Sequence, residues 1–225
     1  VAGTLHKATL PILSQINRVS PDRMADVYLR LIRFAATVIF PSYFIIIVIA
    51  EPLVAVLLGS TWVDIVPVIG VLVLASLLIN FGSIDISTLV SMGNTKYPLL
   101  YSLIRAVVGS LLMVIAAPFG VVAIGVAYCL RSVLVEPLQN NRLLRLLGVK
   151  LTDYLSQLWR SFLYALVVVA IGMSLTAALD GQHNMLFTWL FIPIALVAYA
   201  GLLLTFDKPF IKELRALIDV KRAVY

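Results

Sequence analysis

The chain has 225 residues, of which 62% are hydrophobic and only 12% are charged. Because charged residues make up about 25% of a soluble globular domain, this composition excludes an ordinary water-soluble fold and predicts an all-α polytopic membrane protein. The formal net charge of +6 is typical of basic cytoplasmic loops, so it gives no reason to expect nucleic acid as a partner. The residue spacings of metal, nucleotide and metalloprotease sites do not occur, and we expect neither a metal ion nor another cofactor.

The N-terminal part of the chain is predicted to contain one membrane span. Residues 1–16 are mildly apolar and too short to cross a bilayer, and we interpret them as the end of a preceding helix. A helix start is predicted at residues 20–22, where a serine hydroxyl, a proline and a carboxylate follow one another. The span is assigned to residues 34–50, with a kink at Pro41, and a short connection is predicted from residue 51 to residue 62.

Five further spans are predicted, each ended by glycine, proline or a run of polar residues. They are residues 64–94, 97–117, 121–138 with a helical extension toward 147, 158–179 and 186–206. The six transmembrane helices divide into two parts. Residues 1–147 hold four spans, and residues 148–225 hold a basic amphipathic linker, two spans and a tail, 207–225, that is predicted to be helical.

The positive charges predict the orientation of these spans. The 17 lysines and arginines precede the first span, flank the connections between spans two and three and between spans four and five, or lie in the tail. The three opposite connections hold only Glu51, Asp64, Asp180 and His183. This asymmetry predicts a multi-pass protein of the plasma (inner) membrane with both termini in the cytoplasm.

Polar residues on the second predicted span fall on one side of the helix. Within an arc of about 90° at 100° per residue lie Ser76, Asn80, Ser83, Ser87, Ser91 and Asn94. Small polar residues often mediate close packing between membrane helices. Six of them in one stripe favour a hydrated face instead, and Ser76, Asn80, Ser83 and Ser87 are candidates to line a substrate cavity.

Four short blocks resemble a known transporter family. In chain order they are LPILSQ with Leu10, Pro11 and Ser14, LLGSTW with Leu58, Gly59 and Trp62, SMGNTKYP with Gly93, and APFGVVAIGVAY with Phe119, Gly120, Gly125 and Ala127. In order and spacing these blocks resemble the C-terminal part of the polysaccharide-transport (oligosaccharide flippase) family, which belongs to the multidrug, oligosaccharidyl-lipid and polysaccharide exporter superfamily. The last two spans are similar to the additional helices of the fourteen-span members.

The resemblance implies a transporter rather than an enzyme. Two six-helix lobes would rock about a central cavity and move a polyprenyl-pyrophosphate-linked oligosaccharide from the cytoplasmic to the outer leaflet for surface polysaccharide assembly. This chain would supply most of the C-terminal lobe plus two additional helices. It begins at Val1 rather than at a methionine, and we expect a fragment whose partners are the N-terminal lobe of the same protein, the lipid-linked oligosaccharide and membrane lipids. Alone, one lobe is not expected to transport, because alternating access needs two.

Three charged residues are predicted to lie at one depth in the membrane. Asp85 and Arg105 are nearly equidistant from the turn between spans two and three, and Arg105 and Arg131 are equidistant from the break between spans three and four. A charge near the bilayer centre costs at least about 2.5 kcal/mol, so such groups pair or face water. One interpretation pairs Asp85 with Arg105 as a structural clamp. In the other, Arg105 or Arg131 faces the cavity and binds pyrophosphate or an acidic sugar, because guanidinium matches phosphate oxygens.

The carboxylate of Glu136 is open to two interpretations. It precedes Pro137 inside the fourth span and could couple transport to protons, but an ion pair with Arg131 or Arg142 is the favoured interpretation.

Other function classes remain open on the sequence alone. A multidrug antiporter of the same superfamily would share the fold but favours an aromatic and acidic cavity, against which two buried arginines argue. A polyprenyl-linked glycosyltransferase or ligase would normally carry a larger catalytic segment outside the membrane. A purely structural membrane subunit is a further alternative.

Overall fold

The computed structural model describes residues 2–178 and 185–206, and these residues are helical apart from short turns. The predicted loop at 180–184 and the predicted helical tail at 207–225 lie outside the described residues. The α-helices are α1 (Ala2–Val19), α2 (Met24–Leu57), α3 (Val66–Ser91), α4 (Lys96–Ala116), α5 (Val121–Leu147), α6 (Leu151–Ala178) and α7 (Met185–Phe206). Short 3₁₀ turns occupy Pro21–Arg23, Ser60–Ile65 and Ala117–Phe119.

Five helical segments of the described chain are long and apolar enough to cross a membrane. They are Pro21–Leu57, Ser60–Ser91, Lys96–Phe119, Val121–Leu147 and Leu151–Ser174. The predicted all-helical fold is therefore confirmed, and these five segments are compatible with a polytopic membrane protein. Helix α7 lies where the sixth span was expected, and its apolar stretch within the described residues is Phe191–Thr205. The count of six spans and the cytoplasmic location of both termini stay predictions.

The predicted break after residue 50 is wrong. Helix α2 continues for 34 residues through both Pro41 and Pro52 and ends at Leu57. Proline removes one backbone donor, but membrane helices tolerate it where neighbouring groups satisfy the freed carbonyl.

The helix start predicted at residues 20–22 is present, with Ser20 at the N-cap position and Pro21 and Asp22 in the first turn, but the Ser20 side chain makes no cap hydrogen bond. The fifth span was expected from residue 158 onward, but α6 begins at Leu151. Most of the predicted linker is thus helix, because a helix continues past the apolar stretch into water without losing its backbone bonds.

The turn between α3 and α4 depends on Gly93. This glycine has φ of 78°, a left-handed conformation that only glycine adopts at little cost. The reversed backbone lets the backbone amide of Asn94 donate to the carbonyl of Leu89 at 2.9 Å. This hydrogen bond satisfies a carbonyl at the end of α3 without water. The predicted hairpin turn at this position is therefore present.

The helices are arranged around α2 and α3. Helix α2 packs along α6 and α3, α3 also packs against α5 and α1, and α4 lies against α5 at the edge. Helices α2 and α6 run in parallel, because Tyr28 stacks near Tyr154 and, further along both helices, Phe44 contacts Phe162. Parallel packing agrees with three intervening spans, since each crossing reverses the chain direction.

Candidate functional site

A large cavity lies among α2, α3, α5 and α6 and has a volume of about 680 Å³. Its walls are mostly aliphatic and aromatic, and the aromatic residues are Phe40, Phe81, Tyr154, Trp159 and Phe162. Val133 of α5 and Leu155 of α6 are each 51% exposed. The cavity therefore opens between α5 and α6, toward the surface that a bilayer would cover. Its polar lining residues are Asp85, Glu136 and Asn140.

The carboxylate of Glu136 forms an ion pair with Arg105 of α4. Arg105 Nε lies 3.0 Å from Glu136 Oε1, and Arg105 Nη2 donates to Oε2 at 3.0 Å. The Glu136 side chain is 5% exposed and that of Arg105 is 21% exposed. Only the Nη2–Oε2 contact is a hydrogen bond, and the Nε–Oε1 contact is an ion pair by distance without hydrogen-bond geometry. Pairing removes the net charge that each group would otherwise carry within a membrane helix.

Gln139 extends this pair to α3. Its side-chain oxygen accepts from Arg105 Nη2 at 3.4 Å, and its amide nitrogen donates to the backbone carbonyl of Gly82 at 3.0 Å. A Cβ atom on Gly82 would collide with Glu136 Oε2 and would lie 3.3 Å from its Cδ. The absence of a side chain at Gly82 is therefore what allows the carboxylate to lie against α3.

Asp85 belongs to a second buried cluster. The side chain is 1% exposed and accepts hydrogen bonds from Tyr28 at 2.7 Å and from Asn140 at 3.1 Å. The Asn140 amide also donates to the Tyr28 hydroxyl at 3.0 Å. The three residues come from α3, α2 and α5, so this cluster joins three helices. Within the described part of the chain Asp85 takes part in no ion pair, and its partners are neutral donors.

The predicted Asp85–Arg105 clamp is wrong, and so is the predicted pairing of Glu136 with Arg131 or Arg142. Arg105 pairs with Glu136, and Asp85 bonds to Tyr28 and Asn140. Asp85 and Arg105 would meet if α3 packed along its sequence neighbour α4. In the structure α3 packs mainly against α5, which brings the polar residues of α5 to both charges.

Arg131 makes weaker contacts than Arg105. Its Nη2 atom donates to Ser132 at 3.2 Å, and its guanidinium carbon lies 4.2 Å from the centre of the Tyr128 ring. Among the described residues Arg131 has no carboxylate partner, and its Nε is buried without a hydrogen bond. Arg142 contacts Tyr97 instead, through both the hydroxyl and the ring. Arg131 is thus half-buried, and within the described chain its side chain donates a hydrogen bond to a hydroxyl rather than to a carboxylate.

The polar stripe on α3 lies at a helix–helix contact in the described chain. Asn80, Ser83 and Ser87 are 3%, 9% and 0% exposed. Ser83 and Ser87 donate to carbonyls of their own helix, and Asn80 donates to Tyr43 of α2 and to the carbonyl of Ser76. Such bonds are typical of small polar residues at packed interfaces. That this stripe lines a substrate cavity stays a prediction.

Sequence reasoning missed three residues of the site, namely Tyr28, Gln139 and Asn140. A signal was present for one of them, Gln139. Ser132, Glu136 and Gln139 follow a helical spacing on α5 and are all buried, at 0%, 4% and 0% exposed. Polar residues three and four positions apart share a helix face, so this second stripe marked the face of α5 that meets α3 and α4.

Comparison with known proteins adds one finding. Residues 1–67 match the family model described as polysaccharide biosynthesis protein. No curated protein and no solved structure shows significant similarity to the chain. The matched segment covers α1, α2 and the 3₁₀ turn that follows them, and it is consistent with a role in polysaccharide assembly or transport.

Proposed function

We propose that the protein is part of a membrane transporter that flips a polyprenyl-pyrophosphate-linked oligosaccharide from the cytoplasmic to the outer leaflet. The observation that carries this proposal is the match of residues 1–67 to polysaccharide biosynthesis proteins, taken with helices long enough to span a membrane. A helical membrane chain in such a pathway has a lipid-linked sugar as its natural cargo. The remaining lobe of the transporter would be supplied by chain that is not in this sequence.

The two arginines have different parts in this proposal. Arg105 is neutralised by Glu136, and we assign it a structural part. Arg131 donates to a hydroxyl, lies over an aromatic ring and forms no ion pair of the kind that Arg105 makes in the described structure. A guanidinium with unused donors can bind two phosphate oxygens at once. Arg131 is therefore the residue we assign to the pyrophosphate or to an acidic sugar.

Complementation of a flippase-deficient strain tests this assignment. We expect Arg131→Ala to abolish surface polysaccharide while the protein remains in the membrane at its normal amount, and Arg131→Lys to restore part of it. Arg145→Ala is the matched control, since Arg145 is an exposed arginine on the same helix. Normal polysaccharide in the Arg131→Ala strain would remove Arg131 from the substrate site.

One observation favours a second candidate, a multidrug antiporter. The large cavity is aromatic and has the buried carboxyl of Asp85 in its wall, which suits a lipophilic cation better than a sugar. Saturable binding of tetraphenylphosphonium to the purified protein, lost in Asp85→Asn and kept in Asp153→Asn, would support this candidate. Absence of binding together with failed complementation by Arg131→Ala would favour the flippase.

A further inference from the structure

The large cavity results from a gap between two consecutive helices. Helices α5 and α6 are joined by the short connection 148–150. Within the described residues they are not among the pairs of helices that pack closely, because α5 lies against α3 and α4 and α6 lies against α2 and α7. The space between them, about 680 Å³, is lined by residues of both helices. Arg131, which we assign to the phosphate of the cargo, is not among these lining residues.

The cavity is long and has one polar end. Its lining residues extend over eleven residue steps on each of three helices, from Leu74 to Asp85, from Cys129 to Asn140 and from Leu151 to Phe162. At 1.5 Å per residue each stretch is roughly 16 Å long. At one end Asn140 donates a hydrogen bond to Asp85, and at the other the ring of Phe162 contacts that of Phe40, which also contacts Phe81. The cavity thus has about half the length of a bilayer's hydrocarbon core, which is about 30 Å thick.

Neither water nor a further helix suits this cavity. Its lining is mostly aliphatic and aromatic apart from Asp85, Glu136 and Asn140, so water would lack hydrogen-bond partners along most of its length. A helix inserted between α5 and α6 would hold their axes two helix spacings apart, about 16–20 Å. The connection allows Leu147 and Leu151 to lie at most about 14 Å apart. Helices α5 and α6 therefore cannot admit a further helix at this end.

A lipid chain fits the same space. The mouth of the cavity faces the surface that a bilayer would cover, where Val133 of α5 and Leu155 of α6 are each 51% exposed. A hydrocarbon chain needs no hydrogen bonds, and an extended acyl chain reaches from the head groups to the bilayer centre, about 15 Å. Lys150 directly precedes Leu151 at the polar end and is exposed, which places a cation where a phosphate would lie. Left empty, a cavity of this volume would cost about as much free energy as folding of a whole domain provides.

We propose that the cavity between α5 and α6 holds one acyl chain of a membrane phospholipid. The head group lies beyond Asp85 and Asn140, near Lys150, and the end of the chain lies beside Cys129 and Phe162. The chain fills the gap that the packing of the bundle leaves and so supports the position of α6. This lipid site goes beyond the proposed transport function and does not depend on the identity of the cargo.

Photo-crosslinking from a labelled lipid tests the proposal. The full chain is reconstituted in phosphatidylglycerol bilayers that contain a small fraction of the same lipid with a diazirine at the end of one acyl chain. Leu77 and Phe81 line the cavity and are only 8% and 7% exposed, so a chain must enter the cavity to reach them. Val107 of α4 is 67% exposed and reports labelling by bulk lipid. We expect Leu77 and Phe81 to be labelled, and labelling confined to exposed residues such as Val107 would overturn the proposal.

Two tryptophans at the mouth of the cavity provide a blocking variant. Val133→Trp/Leu155→Trp should lower the ratio of cavity labelling to bulk labelling by about fivefold or more, because a filled space no longer accepts the chain. The matched control is Val126→Trp/Leu166→Trp, at positions of the same helices that are 50% and 46% exposed and do not line the cavity. This control should keep the ratio of the unmodified chain. Leu155→Trp alone should lower the ratio part of the way and replaces the double variant if that variant fails to fold. Equal ratios in the blocking and control variants would overturn the proposal.

Native mass spectrometry of the full chain in mild detergent identifies the occupant. We expect one phospholipid to remain bound to the unmodified chain and to the control variant, and to be lost from the blocking variant. A retained polyprenyl lipid in place of the phospholipid would make the cavity a site for the tail of the cargo, and the phospholipid assignment would be wrong.

Discussion

Replacing Gly82 by alanine is the sharpest test of how the ion pair is accommodated. The new Cβ would collide with Glu136 Oε2 and would lie 4.0 Å from Gln139 Nε2. A carboxylate at the end of a flexible chain can normally move aside. Here Oε2 accepts a hydrogen bond from Arg105 and Oε1 lies 3.0 Å from its Nε, so moving the carboxylate breaks a buried ion pair. The collision should cost about 1–3 kcal/mol as overpacking, and about 3–5 kcal/mol if the pair is lost.

The same substitution at Gly70 provides the control. Gly70 lies on the same helix, and a Cβ there would meet nothing within 4 Å in the described structure. Alanine raises helix propensity by up to about 1 kcal/mol at either position, so the difference between the two variants isolates the collision. A difference of 1–3 kcal/mol corresponds to a thermal midpoint about 2 to 12 °C lower for Gly82→Ala.

The thermal midpoint of the purified protein in detergent is measured from the loss of the monodisperse peak in size-exclusion chromatography. A second variant makes the reasoning specific. Glu136→Asp shortens the side chain, so Gly82→Ala/Glu136→Asp should lose less than the sum of the two single changes. Equal midpoints for Gly82→Ala and Gly70→Ala would refute the close approach of Glu136 to α3.

Two further predictions concern the same buried groups. Tyr28→Phe should lower the free energy of unfolding by about 1–3 kcal/mol, because the buried Asp85 carboxylate loses one hydrogen-bond donor. The control Tyr128→Phe keeps the ring under Arg131 and should change the free energy of unfolding by less than about 0.5 kcal/mol. An equal effect of the two variants would contradict the hydrogen-bonded cluster around Asp85. Glu136→Leu should cost about 3–5 kcal/mol by leaving the Arg105 guanidinium without its carboxylate, whereas Arg105→Met/Glu136→Leu should recover most of it. Detergent-denaturation midpoints check both, and a double variant as unstable as the single one would count against a structural ion pair.

The membrane helices could be predicted from the sequence because their main determinant is local. Uninterrupted apolar residues over about 20 positions are enough to indicate a span, and α3, α4 and α5 begin and end close to the predicted residues. The end of the first span could not be predicted in this way. Pro52 is a strong local signal for a break, but a proline inside a packed membrane helix is tolerated once its neighbours satisfy the freed carbonyl.

The charged residues at membrane depth were predictable, but their partners were not. Sequence position gives the place of a residue along a helix, and Asp85 and Arg105 do have the polar partners that we expect for charges on apolar helices. It does not give the rotation of the helix or the identity of its neighbour. Because α3 packs on α5, Gln139 lies beside Arg105 and Asn140 lies beside Asp85.

The parallel contact between α2 and α6 has a consequence for synthesis of the chain. Thr37 and Ser161 touch across a separation of 124 residues. At roughly 5–20 residues per second, about 6 to 25 s pass between the appearance of one partner and the other. During that interval the face of α2 that later meets Tyr154 and Phe162 must be covered by lipid or by an insertion factor. Folding of this bundle therefore includes a step in which α6 replaces a temporary neighbour of α2.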